Sequence, residues 1–274
     1  MTYRDLLVHL DGSEQSEARA AIAVEVARAF GAVLTGLYGE SDPHVLVPAS
    51  RDPAASLHTV AERIETAFRR RAAAAGIDTN WLTAMTVNDT ELIKRVLFAA
   101  RHADLVVLGQ HRDGERTASV PSDLIEQIAL NCGRPVLCIP SVGRFPTVAA
   151  RVLVAWNGSR EAARAVNDAM PFLLRAERVR LLAINPDHSR DAYGEEPFAP
   201  MQRHLASHGV IAQCETLWVQ DSDVIEGLLS RLGDEGIDLL VMGAHGHYGF
   251  PYLYRGGGTR QILRSMTTPV LMSY

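Results

Sequence analysis

The same three blocks occur twice along the chain, in the same order, and this repetition constrains the fold more than any other feature. Residues 6–21, LLVHLDGSEQSEARAA, match residues 152–166, VLVAWNGSREAARAV: an apolar run, then Asp or Asn, Gly, Ser and an Ala/Arg-rich helical pattern. ADLVVLGQH (103–111) matches IDLLVMGAH (237–245), and RPVLCIP (134–140) matches TPVLMSY (268–274). Asp11 thus corresponds to Asn157, Gly109 to Gly243 and Pro135 to Pro269. The first pair lies further apart than the other two by about twelve residues, so the first copy carries extra length. That length is placed most simply in the Pro-containing stretch SDPHVLVPASRDPAAS (41–56). A chain of 274 residues holds two domains of ~130 residues comfortably. The copies read as domains 1–142 and 150–274, linked by SVGRFPTVAA (141–150).

Within each copy, short apolar runs alternate with helical patterns. In the first, strands are expected at 6–10, 32–38, 80–87, 104–109 and 135–139, with helices at 13–30, 55–75, 89–102 and 122–131. Ser13 is placed to cap the first helix and Gly76 to end the second. The second copy follows suit, with helices over 159–175, 197–208, 222–235 and 259–266. Continuous apolar strands separated by helices are buried on both faces. The expected class is therefore α/β: two similar open, doubly wound, five-stranded parallel sheets, Rossmann-like, in tandem.

Composition removes several other classes. The chain is 47% hydrophobic and 22% charged, which excludes global disorder. No run of about 18 apolar residues is present, so no membrane span is expected. A net charge of -5 gives no basic surface for nucleic acid. Three cysteines form no disulfide framework, and the charged start MTYRDLLVHLDGS lacks the shape of a secretory signal, so a cytoplasmic location is expected.

In open α/β sheets, ligands bind beyond the carboxyl ends of the strands, where the crossovers diverge. That rule selects the loops after strands one and four of each copy: Asp11-Gly12-Ser13 and Gly109-Gln110-His111-Arg112 in the first, Asn157-Gly158-Ser159 and Gly243-Ala244-His245-Gly246 in the second. The stretch GAHGHYGFPYLYRGGGT (243–259) is the most informative. Its glycines let backbone amides converge on an anion, and the run Gly256-Gly257-Gly258 leads into a helix beginning near Thr259, whose free amides and dipole add to the same effect. Thr259 is placed to cap that helix or bond a phosphate; Arg255 and Arg260 flank the turn and could supply charge-assisted bonds. A ligand-free flexible loop has the same glycine count. GxxxxGK[ST], GxGxxG after the first strand, and GxSxG are all absent.

These residues together resemble the universal stress proteins: a strand ending in Asp-Gly-Ser, a later strand ending in Met-Gly, a Gly-x2-Gly-x9-Gly loop (Gly243, Gly246, Gly256) and a closing Pro-Val-Leu strand. The resemblance covers nearly the whole chain, twice. It implies the fold of the adenine nucleotide alpha hydrolase-like group and, in the family's nucleotide-binding branch, ATP, with or without Mg2+. Carried across by position, it implies Asn157 near base and ribose and Gly243, Gly246 and Gly256 around the phosphates; the next position, usually Ser or Thr, is Gly257, and the hydroxyl two residues later matches Thr259. Gly158, His245, Arg255 and Gly258, in the same loops, are further candidates for contact with the nucleotide. The usual acidic residue is Asn157 in the second copy, which retains an acceptor but loses the charge. The first copy keeps Asp11 and Gly109 but has Arg112 and Ser122 at the other two glycine positions. Asp113, Glu115 and Asp123 add like charge to any phosphate there. The expectation is one competent site, in the second copy. The resemblance also implies pairing of the two closing strands as an intramolecular pseudo-dimer, with a homodimer as a further option.

No nucleophile–base pair, carboxylate dyad or metal cluster emerges, so at most slow ATP hydrolysis or autophosphorylation is expected. The second reading is a regulatory interaction module in which both sites have decayed. An enzyme of the wider hydrolase-like group would need an SGGxDS-type loop, which DGSEQS and NGSREA do not match. His204 and His208, four apart on a helix, read as surface residues; Cys132 and Cys138 read as inert; His9 reads as a core histidine; and Tyr248, Phe250, Tyr252 and Tyr254 read as a lid or as packing.

Overall fold

A computed structural model describes residues 2–42, 53–111, 120–186, 198–220, 224–244 and 257–274. The chain divides into two compact units, residues 2–144 and 145–274. The first contains β1 (Asp5–Leu10), α1 (Gln15–Phe30), β2 (Val33–Ser41), α2 (Pro53–Ala74), β3 (Thr79–Thr86), α3 (Asp89–Ala100), β4 (Leu105–Gly109), α4 (Leu124–Asn131) and β5 (Val136–Ile139). The second contains β6 (Arg151–Ala155), α5 (Arg160–Leu173), β7 (Arg178–Ile184), α6 (Ala199–Ser207), β8 (Ala212–Leu217), α7 (Val224–Asp234), β9 (Leu239–Gly243), α8 (Gly257–Ser265) and β10 (Val270–Ser273).

In the first unit the strands lie in the order β3-β2-β1-β4-β5, and in the second β8-β7-β6-β9-β10. Every pair within each unit is parallel. The doubly wound α/β class expected from the sequence is the one observed. Central strands are buried throughout: Leu105–Leu108 of β4 and Leu239–Val241 of β9 are fully inaccessible. Such strands need cover on both faces, and helices provide it, α1 packing beside α2 and α3 beside α4. Helix ends follow local chemistry. Gly31 and Gly76 adopt positive φ (64° and 69°) just beyond α1 and α2, where a Cβ would be strained. Asn88 caps α3 by accepting from the Glu91 amide at 2.9 Å.

The order reverses between β1 and β4, and again between β6 and β9. Each reversal opens a crevice at the carboxyl ends of those strands.

Candidate nucleotide site

The two crevices start from matching sequence and are filled differently. In the first unit, the turn after β1 folds Asp11 inward, leaving it 5% exposed. Its carboxylate accepts from the Ser13 amide (2.9 Å), from the Ser13 and Ser16 hydroxyls, and from Arg19 Nη2 at 2.7 Å. Arg19, on the first turns of α1, is 4% exposed and lies across the end of β4. A Cβ built on Gly109 would fall inside its Nη1, so glycine there accommodates this guanidinium. Arg19 Nη2 also bonds the Ser16 hydroxyl (2.8 Å), while its Nε has no hydrogen-bond partner. Burial alone would raise the Asp11 pKa, but the adjacent Arg19 guanidinium, with His9 and Ser13, outweighs it and holds the carboxyl well below the usual range.

His9, inside β1, packs against the same pair. It is 1% exposed, its Nε2 is 2.9 Å from the Gly39 carbonyl, and burial lowers its pKa to about 4, against the opposing pull of Asp11. It is therefore a neutral, hydrogen-bonded core histidine, as the sequence suggested. Glu40 accepts from the Gly12 amide at 2.6 Å; burial raises its pKa. The space left among His9, Asp11, Ser13, Arg19, Gly109 and Ser122 is a cleft of about 40 Å³. That is room for a few waters.

The second unit lacks the guanidinium. Ala165 stands eight residues after Asn157, as Arg19 does after Asp11, and is fully buried. Asn157 is exposed, its Oδ1 accepting from the Ser159 amide at 3.1 Å, and Gly158 takes φ 72°. Without an arginine between them, helix and strand approach directly: a Cβ on Gly243 would lie 2.7 Å from the backbone of Glu161 and Ala162. Arg160 stands where the first unit has Glu14. Its side chain is 73% exposed, anchored by Glu161 (3.0 Å) and lying over the Tyr274 ring at 5.2 Å. The second unit therefore carries an Arg160–Glu161 pair where the first carries Glu14 and Gln15.

Two expected caps are corrected. Ser13 does not cap α1. The helix begins at Gln15, Glu14 holds the cap position, and the Ser13 hydroxyl is drawn to the charged Asp11 instead. Its counterpart Ser159 does cap α5, accepting from Ala162 N at 3.1 Å. Thr259 does not cap α8, which begins two residues earlier at Gly257; the threonine lies within the first turn, 5% exposed. Gly257, Gly258 and Thr259 lie in the first described turn of α8. His245, Gly246, Arg255 and Gly256 lie outside the described residues, as do His247, the loop aromatics, Arg112, Asp113 and Glu115. Asp123 is described and accepts from Gln127 Nε2 at 3.0 Å.

A family model described as the universal stress protein family matches residues 2–140 and again 149–273. The chain belongs to the universal stress protein family. A universal stress protein of Synechocystis sp. is 28% identical over 171 residues, covering 61% of this chain and 57% of that relative. The chain therefore spans just over half the length of the curated relative it matches. A solved universal stress protein from Archaeoglobus fulgidus DSM 4304 is 15% identical, with TM-score 0.70, covering 98% of this chain and 95% of its own. A functionally unknown protein from Pseudomonas aeruginosa PAO1 is also 15% identical, with TM-score 0.63, covering 99% of this chain and 92% of its own. At such identities the two structures attest the tandem fold alone.

Other candidates fall away as chemistry. Burial pushes the Cys132 and Cys138 thiols up, away from thiolate. The His204 and His208 rings meet edge to face at 4.8 Å, and among the described residues no group of three metal-ligating side chains forms. Among the described residues no helix is long and apolar enough to cross a membrane.

Arg19 is the functional residue that sequence reading missed. It sits in an Ala/Arg-rich helix that reads as amphipathic. Set beside the second copy, Ala18-Arg19 faces Arg164-Ala165, an exchange that reads in sequence as two water-facing arginines one position apart.

Proposed function

We propose that this universal stress protein binds an adenine nucleotide at one site, in the second unit, and that its first unit has exchanged that role for a structural one. Arg19 carries the argument. In the first unit an internal guanidinium occupies the space between the strand-one turn and Gly109 and neutralises Asp11. A charged ligand would have to displace a buried ion pair, which costs several kcal/mol.

The second unit supports the complementary reading. Ala165 puts no buried charge beside Gly243, the exposed guanidinium of Arg160 would have to turn from Glu161 to reach a phosphate, and the amides at the start of α8 follow the glycine run that resembles the family's phosphate loop. Gly243, Gly246 and Gly256–Gly258 would approach the phosphates, while Asn157 and Gly158 would face the base and ribose. ATP, with or without Mg2+, is the ligand the resemblance implies. The role is binding and signalling, in a cytoplasmic setting, with turnover slow or absent.

The test is calorimetric titration of ATP with and without Mg2+. One site is expected, lost in Gly246→Arg. No heat and no thermal stabilisation by ATP, ADP or AMP would overturn the reading and leave an interaction module.

A further inference from the structure

Away from the crevice, the two units differ a second time, on the sheet face beneath α3 and α7. In the second unit, Arg180 of β7, Glu215 of β8, Arg231 of α7 and Glu235 just beyond it interlock. Arg180 meets Glu215 at 2.9 Å and Glu235 at 2.7 Å, and Arg231 meets Glu215 at 2.6 Å. Four long side chains fill the space between helix and sheet.

The sheet registers identify the matching positions in the first unit. Arg180 pairs with Leu153 as Thr35 pairs with Leu7, and Glu215 pairs with Leu182 as Leu82 pairs with Leu37. The buried residues Val224, Leu228 and Leu232 of α7 match Leu92, Val96 and Ala100 of α3. On that alignment Arg231 corresponds to Ala99 and Glu235 to Ala103. Thr, Leu, Ala and Ala therefore replace the two arginines and two glutamates, and an open groove of about 620 Å³ remains. Leu82 is 45% exposed beside it and Phe98 is 69% exposed.

The charges are unevenly placed. Glu91 is taken by Arg95 at 2.8 Å, whereas Lys94 forms no ion pair among the described residues. Asp5 and His102, whose Nδ1 meets the Phe98 carbonyl at 2.8 Å, stand at the other end. By the rise of the helix, Lys94 is roughly 12 Å from that end. The groove thus offers an apolar floor, an aromatic wall of Phe98 and His102 (ring centroids 5.1 Å apart) and one available cation.

We propose that this groove is a binding site for a small amphipathic molecule, with an apolar body against Leu82 and Phe98 and a single acidic group at Lys94. Its volume falls in the range of small-ligand sites, roughly 300–1,000 Å³. The groove belongs to the first unit and the proposed nucleotide site to the second, so variants in one unit test one binding event at a time.

The probe is 8-anilinonaphthalene-1-sulfonate, an aromatic body with one sulfonate, titrated by fluorescence into the folded full chain, with decanoate as competitor. Saturable binding is expected, displaced by decanoate. Leu82→Glu, which installs the second unit's residue at an exposed position, should weaken it at least tenfold, and Lys94→Glu severalfold. Ile211→Ser, on the second unit, should leave it unchanged. Binding that survives Leu82→Glu and Phe98→Ser in folded protein would overturn the proposal. So would self-association abolished by Phe98→Ser, which would make the face a contact between copies of this chain. Amide shift changes confined to Leu82, Phe98 and their neighbours would place the probe directly.

Discussion

The first and second units share a fold and a repeated sequence, yet long charged side chains fill the interior of each at a different place. At the strand crossover, the Asp11–Arg19 pair lies between helix and strand in the first unit, while in the second, with Ala165 in place of the arginine, α5 and β9 meet directly. On the sheet face, an ion-pair quartet fills the second unit, while a groove persists in the first. Duplication frees one copy to change. The change here is written in a few long charged side chains rather than in the backbone.

The buried pair predicts the largest effect. Arg19→Ala leaves Asp11 buried without its partner and should cost about 3–5 kcal/mol in urea unfolding. Asp11→Asn, which copies the second unit, strands Arg19 and should cost a similar amount. The double variant should cost less than the sum of the two. Additive losses would show that the pair is not coupled and break the comparison.

A second effect depends on pH. His9 is neutral in the folded protein down to about pH 4, whereas in the unfolded chain it takes up a proton near its ordinary value. Its contribution is fully present above pH ~6.5 and is lost as pH falls from there toward 4, by about 3 kcal/mol. Asp11, held low, contributes above its unfolded value of ~3.9 and loses that contribution only as pH falls further, through its folded value. His9→Gln should flatten the stability profile between pH 6.5 and 4. An unchanged profile would contradict the neutral buried histidine.

The smallest effect separates the two serines. Ser159→Ala removes a cap and should cost about 1 kcal/mol with fraying of the start of α5, seen by amide exchange. Ser13→Ala should leave the start of α1 intact, because that hydroxyl serves Asp11. Equal fraying in both would mean that the helix starts do not differ.

The strands and helices were largely legible in the sequence because burial on two faces demands continuous apolar runs. Predicted ends fall within one or two residues for most elements; β2 runs three residues further, to Ser41. The Asn157 turn was legible as well, since glycine and Asx residues mark special backbone. Arg19 was not, because a charged residue on a helix is indistinguishable in sequence from one facing water. Its burial depends on Asp11 turning inward across the crevice. The same holds for Arg180 and Glu215, which look like solvent-facing residues at alternate strand positions until α7 brings Arg231 beside them. The Ser13 cap failed for a related reason: a nearby carboxylate is a stronger partner for a hydroxyl than a helix amide.

The most direct test of the asymmetry compares two matched variants in one calorimetric experiment. Gly256→Arg and Ser122→Arg place the same side chain at the third glycine position of the second and first units. The account predicts one ATP per chain in the native protein, none in Gly256→Arg and an unchanged isotherm in Ser122→Arg. Two nucleotides per chain, or binding lost in Ser122→Arg and kept in Gly256→Arg, would contradict it.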